Sequence, residues 1–112
     1  MSRVMIDKDE CGCIYVMEAP EVERVKIGFS TMSSLAGRFA SVNGQSPVPV
    51  HLAFVFTVAA RDDVRYLERR VHTLLKGKRI RGEWFCATVD EAREAILKAY
   101  ENRTMQALVR RV

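Results

Sequence analysis

Glu68 is the first residue whose place suggests chemistry. Around it Val64, Leu67, Val71, Leu74 and Leu75 recur at helical spacing. With Val64 at zero and about 100° per residue, Leu67, Val71 and Leu74 fall between about 280° and about 340°, and Leu75 at about 20°. Glu68 falls at about 40°, on the margin of that stripe, and His72 at about 80° on the same side. Arg61 and Arg65 lie beside them, at about 60° and about 100°. A carboxylate so placed is either a surface-edge glutamate paired with Arg65 or His72, worth about 0.2–0.5 kcal/mol, or a metal ligand aimed into a cleft. His72 is a ligand, a group that orients Glu68, or a half-buried structural histidine, because Glu-x-x-x-His is not by itself a zinc-site spacing. Arg38 stands about 60° from a second stripe, Leu35, Phe39 and Val42. From there it either snorkels to solvent or turns its planar fork toward a phosphate. Cys11, Cys13, Cys86 and His51 have the side chains of a zinc site, but Cys-x-Cys is tight and Cys86 is remote. Buried or incidental thiols are the simpler reading.

These residues sit in a chain of 112 residues with 48% apolar and 29% charged side chains, the proportions of one globular domain. That length buries a core without disulfides or a structural metal. The longest apolar run, near Leu52 to Val58, is far too short to span a bilayer. Asp7, Asp9 and Glu10 near the start and the lack of an apolar run there argue against a secretory signal. Three cysteines in no framework suit a reducing, cytoplasmic setting. The net charge is +4. It concentrates between Arg61 and Arg81, where eight cations (Arg61, Arg65, Arg69, Arg70, Lys76, Lys78, Arg79, Arg81) face three acids (Asp62, Asp63, Glu68). That is a footprint for phosphates, or a solvated helix face followed by a basic turn.

The elements that must position these groups read as follows. Residues 1–10 are a lead-in, 11–101 the domain, and 102–112 a basic tail or an extension of the last helix. Gly12 to Met17 and Arg24 to Phe29 are β-prone and form a hairpin across Ala19-Pro20-Glu21. Ser30 to Asn43 is a helix capped by Ser30 or Thr31 and ended at Asn43-Gly44. Pro47 and Pro49 force an extended linker into Val50 to Val58, the strongest strand and a central one. Asp62 to Leu75 is the second helix, closed by Lys76-Gly77-Lys78. Glu83 to Cys86 is a short strand or an aromatic clip. Thr88 to Glu91 has the form of a capping box opening a third helix. The expected class is α+β, a small, mainly antiparallel, three-stranded sheet flanked by about three helices in the order β-β-α-β-α-α.

The ordered set resembles the GIY-YIG nucleases over residues 11–97, in the single-domain subgroup of phages and bacteria. Cys13-Ile14-Tyr15 and Lys26-Ile27-Gly28 match the paired strand motifs, Arg38 the helical arginine, and Glu68 the later glutamate. His72 four residues on and Gly82-Glu83-Trp84-Phe85 match the subgroup. Cys13 replaces the first glycine and Lys26 the second tyrosine. The resemblance implies a DNA endonuclease with a single Mg²⁺ (or Mn²⁺) on Glu68. Catalysis would fall to Tyr15, Lys26, Arg38, Glu68 and His72. Arg38 would brace the phosphoryl oxygens. Tyr15 would orient or deprotonate the attacking water, with Lys26 favouring its phenolate. Arg61, Arg65, Arg69, Lys76, Lys78, Arg79 and Arg81 would hold the DNA backbone with little sequence readout. Specificity would then come from DNA structure, a homodimer or a partner protein, with no membrane involved. A catalytically inactive nucleic-acid-binding module on the same fold is the alternative, and a protein-interaction domain the third reading.

Overall fold

The computed structural model describes residues 12–58, 61–101 and 107–111. Strand β1 (Gly12–Ala19) is buried along nearly its whole length, as a β-prone apolar run between two neighbours should be. Pro20–Val22 make one 3₁₀ turn, closed by the amide of Glu23, in the left-handed region at φ 54°, on the Pro20 carbonyl. Strand β2 (Arg24–Thr31) returns antiparallel, pairing Tyr15 with Gly28 and Met17 with Lys26. Helix α1 (Met32–Gln45) follows; of the two expected caps Thr31 is the one used, its hydroxyl accepting the Ser34 amide at 3.3 Å. The helix runs past Asn43-Gly44 to Gln45, because Gly44 does not take the left-handed conformation that would end it; the Asn43 carboxamide accepts the Val50 amide at 3.1 Å.

Strand β3 (His51–Val58) pairs with β1, and α2 (Arg61–Leu74) crosses back. A 3₁₀ turn leads to β4 (Arg79–Arg81), β5 (Trp84–Phe85) and α3 (Val89–Glu101). The capping box of α3 is complete: the Thr88 amide meets Glu91 at 2.9 Å and the Glu91 amide meets the Thr88 hydroxyl at 3.0 Å. Strand β6 (Ala107–Arg111) comes last.

The sheet has six strands in the order β4-β5-β2-β1-β3-β6, against the three expected. Of the extra strands, β5 falls within Glu83 to Cys86, where a short strand or an aromatic clip was expected, whereas β4 and β6 are too short or too charged to read as strands in isolation. Arg79–Arg81 and Trp84–Phe85 extend the β2 edge by a hairpin turned on Gly82 at φ 56°. Residues 107–111, expected as tail or helix extension, pair instead with the outer edge of β3. The central positions belong to β1 and β2, and β3 stands one place outward. Residues 1–10, the expected lead-in, lie outside the described residues.

Alternation on β1 serves two cores. Ile14 and Val16 join Val25, Ile27 and Phe56 beneath Val64, Leu67 and Val71 of α2 and Ala92 and Ile96 of α3. Cys13, Tyr15 and Met17 face α1 with Leu35 and Val55. Leu67 has no exposed surface, so truncating it to alanine would cost roughly 2–5 kcal/mol. Leu74, at the far margin of the stripe, is 40% exposed. Among the described residues no helix is long and apolar enough to cross a membrane.

Candidate functional site

Opposed residues of an antiparallel pair share a face, so Tyr15, Gly28, Lys26 and Trp84 lie on the α1 side of the sheet. Gly28 leaves a gap there. A Cβ at this position would overlap the Tyr15 hydroxyl and come within 2.5 Å of Glu83 Oε1 and 2.7 Å of Tyr15 Cζ. Into the gap the Tyr15 hydroxyl donates to Glu83 Oε1 at 3.3 Å, and Lys26 Nζ meets the same oxygen at 3.0 Å. The backbone fixes this glutamate: Ile27 N–H donates to the Glu83 carbonyl at 3.0 Å, and Arg79 Nε donates to the Gly82 carbonyl at 2.7 Å.

From the other side of β2, α2 brings Glu68 and His72. Nε2 of His72 lies 3.1 Å from Glu68 Oε2 and 2.9 Å from the Ile27 carbonyl. A carbonyl only accepts, so Nε2 carries the proton and is shared between the two oxygens. The imidazole edge packs on Phe85 at 4.9 Å between ring centroids. His72 is thereby a residue that orients Glu68. Burial pushes the Glu68 carboxyl above the ordinary carboxylate range. The charge of Glu83 adds to that rise, while His72, Arg69 and Arg79 oppose it. The two carboxylates therefore belong to one electrostatic site.

Burial, and then the charge of Glu83, push the Tyr15 phenol well above its ordinary value; Arg38 opposes both. Lys26 spends its charge on Glu83, so the expected stabilisation of a Tyr15 phenolate by Lys26 is not met: Tyr15 is a neutral hydrogen-bond donor. The Cys13 thiol is likewise pushed up to about 11 by burial.

Arg38 stands exposed on α1 beside a cavity of about 410 Å³ that Ser30, Thr31, Ser34 and Arg65 also line. Arg65 lies over Phe29 at 5.6 Å. Of the other expected DNA contacts, Arg69 and Arg79 are exposed and act electrostatically on Glu68. Lys78 turns to Glu91 of α3 at 3.4 Å, away from this site, and Lys76 is exposed in the turn after α2. Arg81 lines a second groove beside Trp84. The Arg61 side chain lies outside the described residues.

The zinc reading fails where it can be checked. Cys13 is buried, Cys86 is exposed, and His51 pairs with Glu18 at 2.9 Å; Cys11 is outside the described residues. Among the described residues no group of three or more His, Cys, Asp or Glu side chains is placed to hold a metal. Sequence reasoning missed Glu83 as a site residue. Its signal was Gly82 beside it, a turn glycine that aims the following side chain back over the sheet.

The chain belongs to the T5orf172 domain family, whose model matches residues 12–99. This corrects the resemblance to the GIY-YIG nucleases, a different family. No curated protein and no solved structure matches the chain.

Proposed function

We propose that this T5orf172 domain acts on DNA as a metal-dependent endonuclease. The observation that carries the reading is the convergence at Gly28: Tyr15, Lys26 and Glu83 meet on one side of β2, Glu68 and His72 stand on the other, and Arg38 acts on the same phenol. Two carboxylates, two cations and a phenol drawn from separate elements are more than packing requires. Membership of the T5orf172 family supports a role on DNA.

A divalent cation fits Glu68. The carboxyl is a hard oxygen donor pushed toward protonation by burial, and an adjacent cation would restore its charge. Mg²⁺ or Mn²⁺ keeps most of its waters and needs few protein ligands, so the absence of a three-residue cluster does not count against it. Bound there, the ion would offset charge on the departing oxygen. His72 holds Glu68 Oε2 by its Nε2–H. Arg38 and Arg65, with the hydroxyls of the cavity, receive the phosphate oxygens. Tyr15 need not ionise. Its oxygen takes a proton from the attacking water as its own proton passes to Glu83 Oε1, so the carboxylate is the terminal base. Lys26 fixes that carboxylate.

The test is cleavage of supercoiled plasmid with Mg²⁺ or Mn²⁺, comparing wild type with Glu68→Ala. Cleavage that requires metal and disappears in the variant supports the reading. A second reading, an inactive nucleic-acid-binding module, is favoured by the complete burial of Tyr15 and the pairing of Lys26 to Glu83. It predicts no cleavage and equal, salt-sensitive DNA binding by both proteins.

A further inference from the structure

Beyond Lys26 the α1 side of the sheet opens into a groove of about 460 Å³. Trp84, Ile80 and Val22 give it apolar surface, and Arg24, Lys26 and Arg81 give it charge; no acidic residue lines it. Ile80 and Val22 are 44% and 42% exposed, so two of the large apolar side chains that the described surface leaves bare meet in this one place. Lys26 lies 5.8 Å from the Trp84 ring centroid and 3.0 Å from Glu83, so one side chain joins the groove to the candidate site.

Apolar surface with an aromatic ring, rimmed by Arg24 and Arg81 beside the Lys26–Glu83 pair, is complementary to a polyanion whose bases are unpaired. Bases lie against the apolar part while phosphates meet the cations. A duplex keeps its bases stacked inside and has nothing to offer Trp84 and Ile80. A protein partner would use the apolar floor but would need acids to answer Arg24 and Arg81. The register sets the distance. Lys26 and Trp84 lie one same-face step along the strand from Tyr15 and Gly28, about 6.7 Å at strand rise. That is about two steps of a stacked strand.

We infer that this groove binds an unpaired segment of DNA next to the candidate site at Gly28, so that the preferred substrate is DNA with a single-stranded arm, such as a flap or a fork. The inference rests on the proposed action on DNA and adds its substrate class.

Trp84 is the chain's one tryptophan, so its emission reports on the groove directly. Oligothymidine and a duplex of equal length are titrated into the intact chain in chelator, with Trp84 emission and the anisotropy of labelled DNA followed together. Oligothymidine should quench Trp84 and the duplex should not. Trp84→Ala should weaken oligothymidine binding by about 5- to 150-fold, the range for one stacked base, and change duplex binding little. Trp84→Phe should restore most of the loss. Because Trp84 is partly packed, the exposed Ile80→Glu gives a second, fold-sparing variant and should also weaken the single strand selectively. Duplex and oligothymidine bound equally, with Trp84 emission unmoved, would overturn the groove and leave the DNA-acting reading standing. No salt-sensitive binding of either DNA overturns both. Emission shifted by an acidic peptide but not by oligothymidine overturns the groove's DNA role in favour of a protein partner.

Discussion

Gly28→Ala is the sharpest test of the site geometry, because it adds one methyl group where the structure leaves no room. The new Cβ would sit 2.5 Å from Glu83 Oε1 and 2.7 Å from Tyr15 Cζ, and would overlap the Tyr15 hydroxyl. Carbon atoms rest at about 3.5–4.0 Å, so the phenol ring must retreat by roughly 1 Å. The Glu83 carboxylate, 29% exposed at the end of a flexible side chain, can yield. The Tyr15 ring has no exposed surface and is held between β1 and α1. Overpacking of this kind costs about 1–3 kcal/mol. A phenol pushed off its carboxylate partner in a buried place adds about 1–3 kcal/mol. The two overlap, since the same shift causes both, so the expected loss is about 2–4 kcal/mol.

At about 2.1 cal/mol/K per residue, a chain of 112 residues loses roughly 4 °C of Tm per kcal/mol. Gly28→Ala should therefore melt roughly 8–16 °C below wild type in a calorimetric scan. Gly37→Ala is the control: a Cβ there meets nothing within 4 Å, in the middle of α1, and should be neutral or stabilising by about 0.5–1 kcal/mol. Repeating Gly28→Ala in a Tyr15→Phe background removes the overlapping oxygen and should recover about 1 kcal/mol. A Gly28→Ala protein that melts within about 2 °C of wild type would refute the Tyr15–Gly28–Glu83 arrangement, and with it the proton relay.

Four further outcomes follow. The Glu68 carboxyl is raised above 4.5, so the folded chain holds its proton longer than the unfolded one, and stability is lost as pH rises from about 4.5 through the folded value. The stability of Glu68→Gln relative to wild type should accordingly increase between pH 4 and pH 7 in urea denaturation; a constant difference contradicts the shift. At pH 7, a divalent cation at about 100 times its Kd should stabilise wild type by about 2.7 kcal/mol and Glu68→Gln not at all. Arg38→Ala and Arg65→Ala should each lower the log–log salt slope of DNA binding by about 0.9 if each neutralises one phosphate, whatever the DNA sequence. An unchanged slope in both removes the 410 Å³ cavity from the binding path. Thr88→Ala opens the capping box of α3 and should cost about 1 kcal/mol in urea denaturation while leaving plasmid cleavage intact.

What the sequence showed was carried by local physics. Helical spacing located α2 and placed Glu68 at the core edge, where its side chain is 12% exposed beside His72. Hydroxyl and carboxylate caps marked the starts of α1 and α3. The β1–β2 hairpin was legible because its apolar residues are β-prone on both sides of one proline turn. The missed strands lack any such signal. β5 lies within Glu83 to Cys86, which already allowed a short strand, but β4 reads Arg-Ile-Arg, so only its pairing at the β2 edge makes it a strand. The same holds for β6 against β3. A strand defined by its neighbour cannot be read from its own residues.

Glu83 and Tyr15 show why the site was harder to read than the fold. A glutamate after a turn glycine is an ordinary surface residue until the backbone of β2 accepts it; the Ile27 amide on the Glu83 carbonyl makes that connection across 56 positions of chain. Once Glu83 is there, the roles of its neighbours change. Lys26 loses its freedom to act on the phenol, and Tyr15 becomes a donor to an anion, which favours the neutral form. A buried tyrosine beside a carboxylate is therefore poorly suited to act as a phenolate base and well suited to pass a proton on. Chemistry at this site depends on which group the tyrosine faces, and that group stands 68 residues away in the chain.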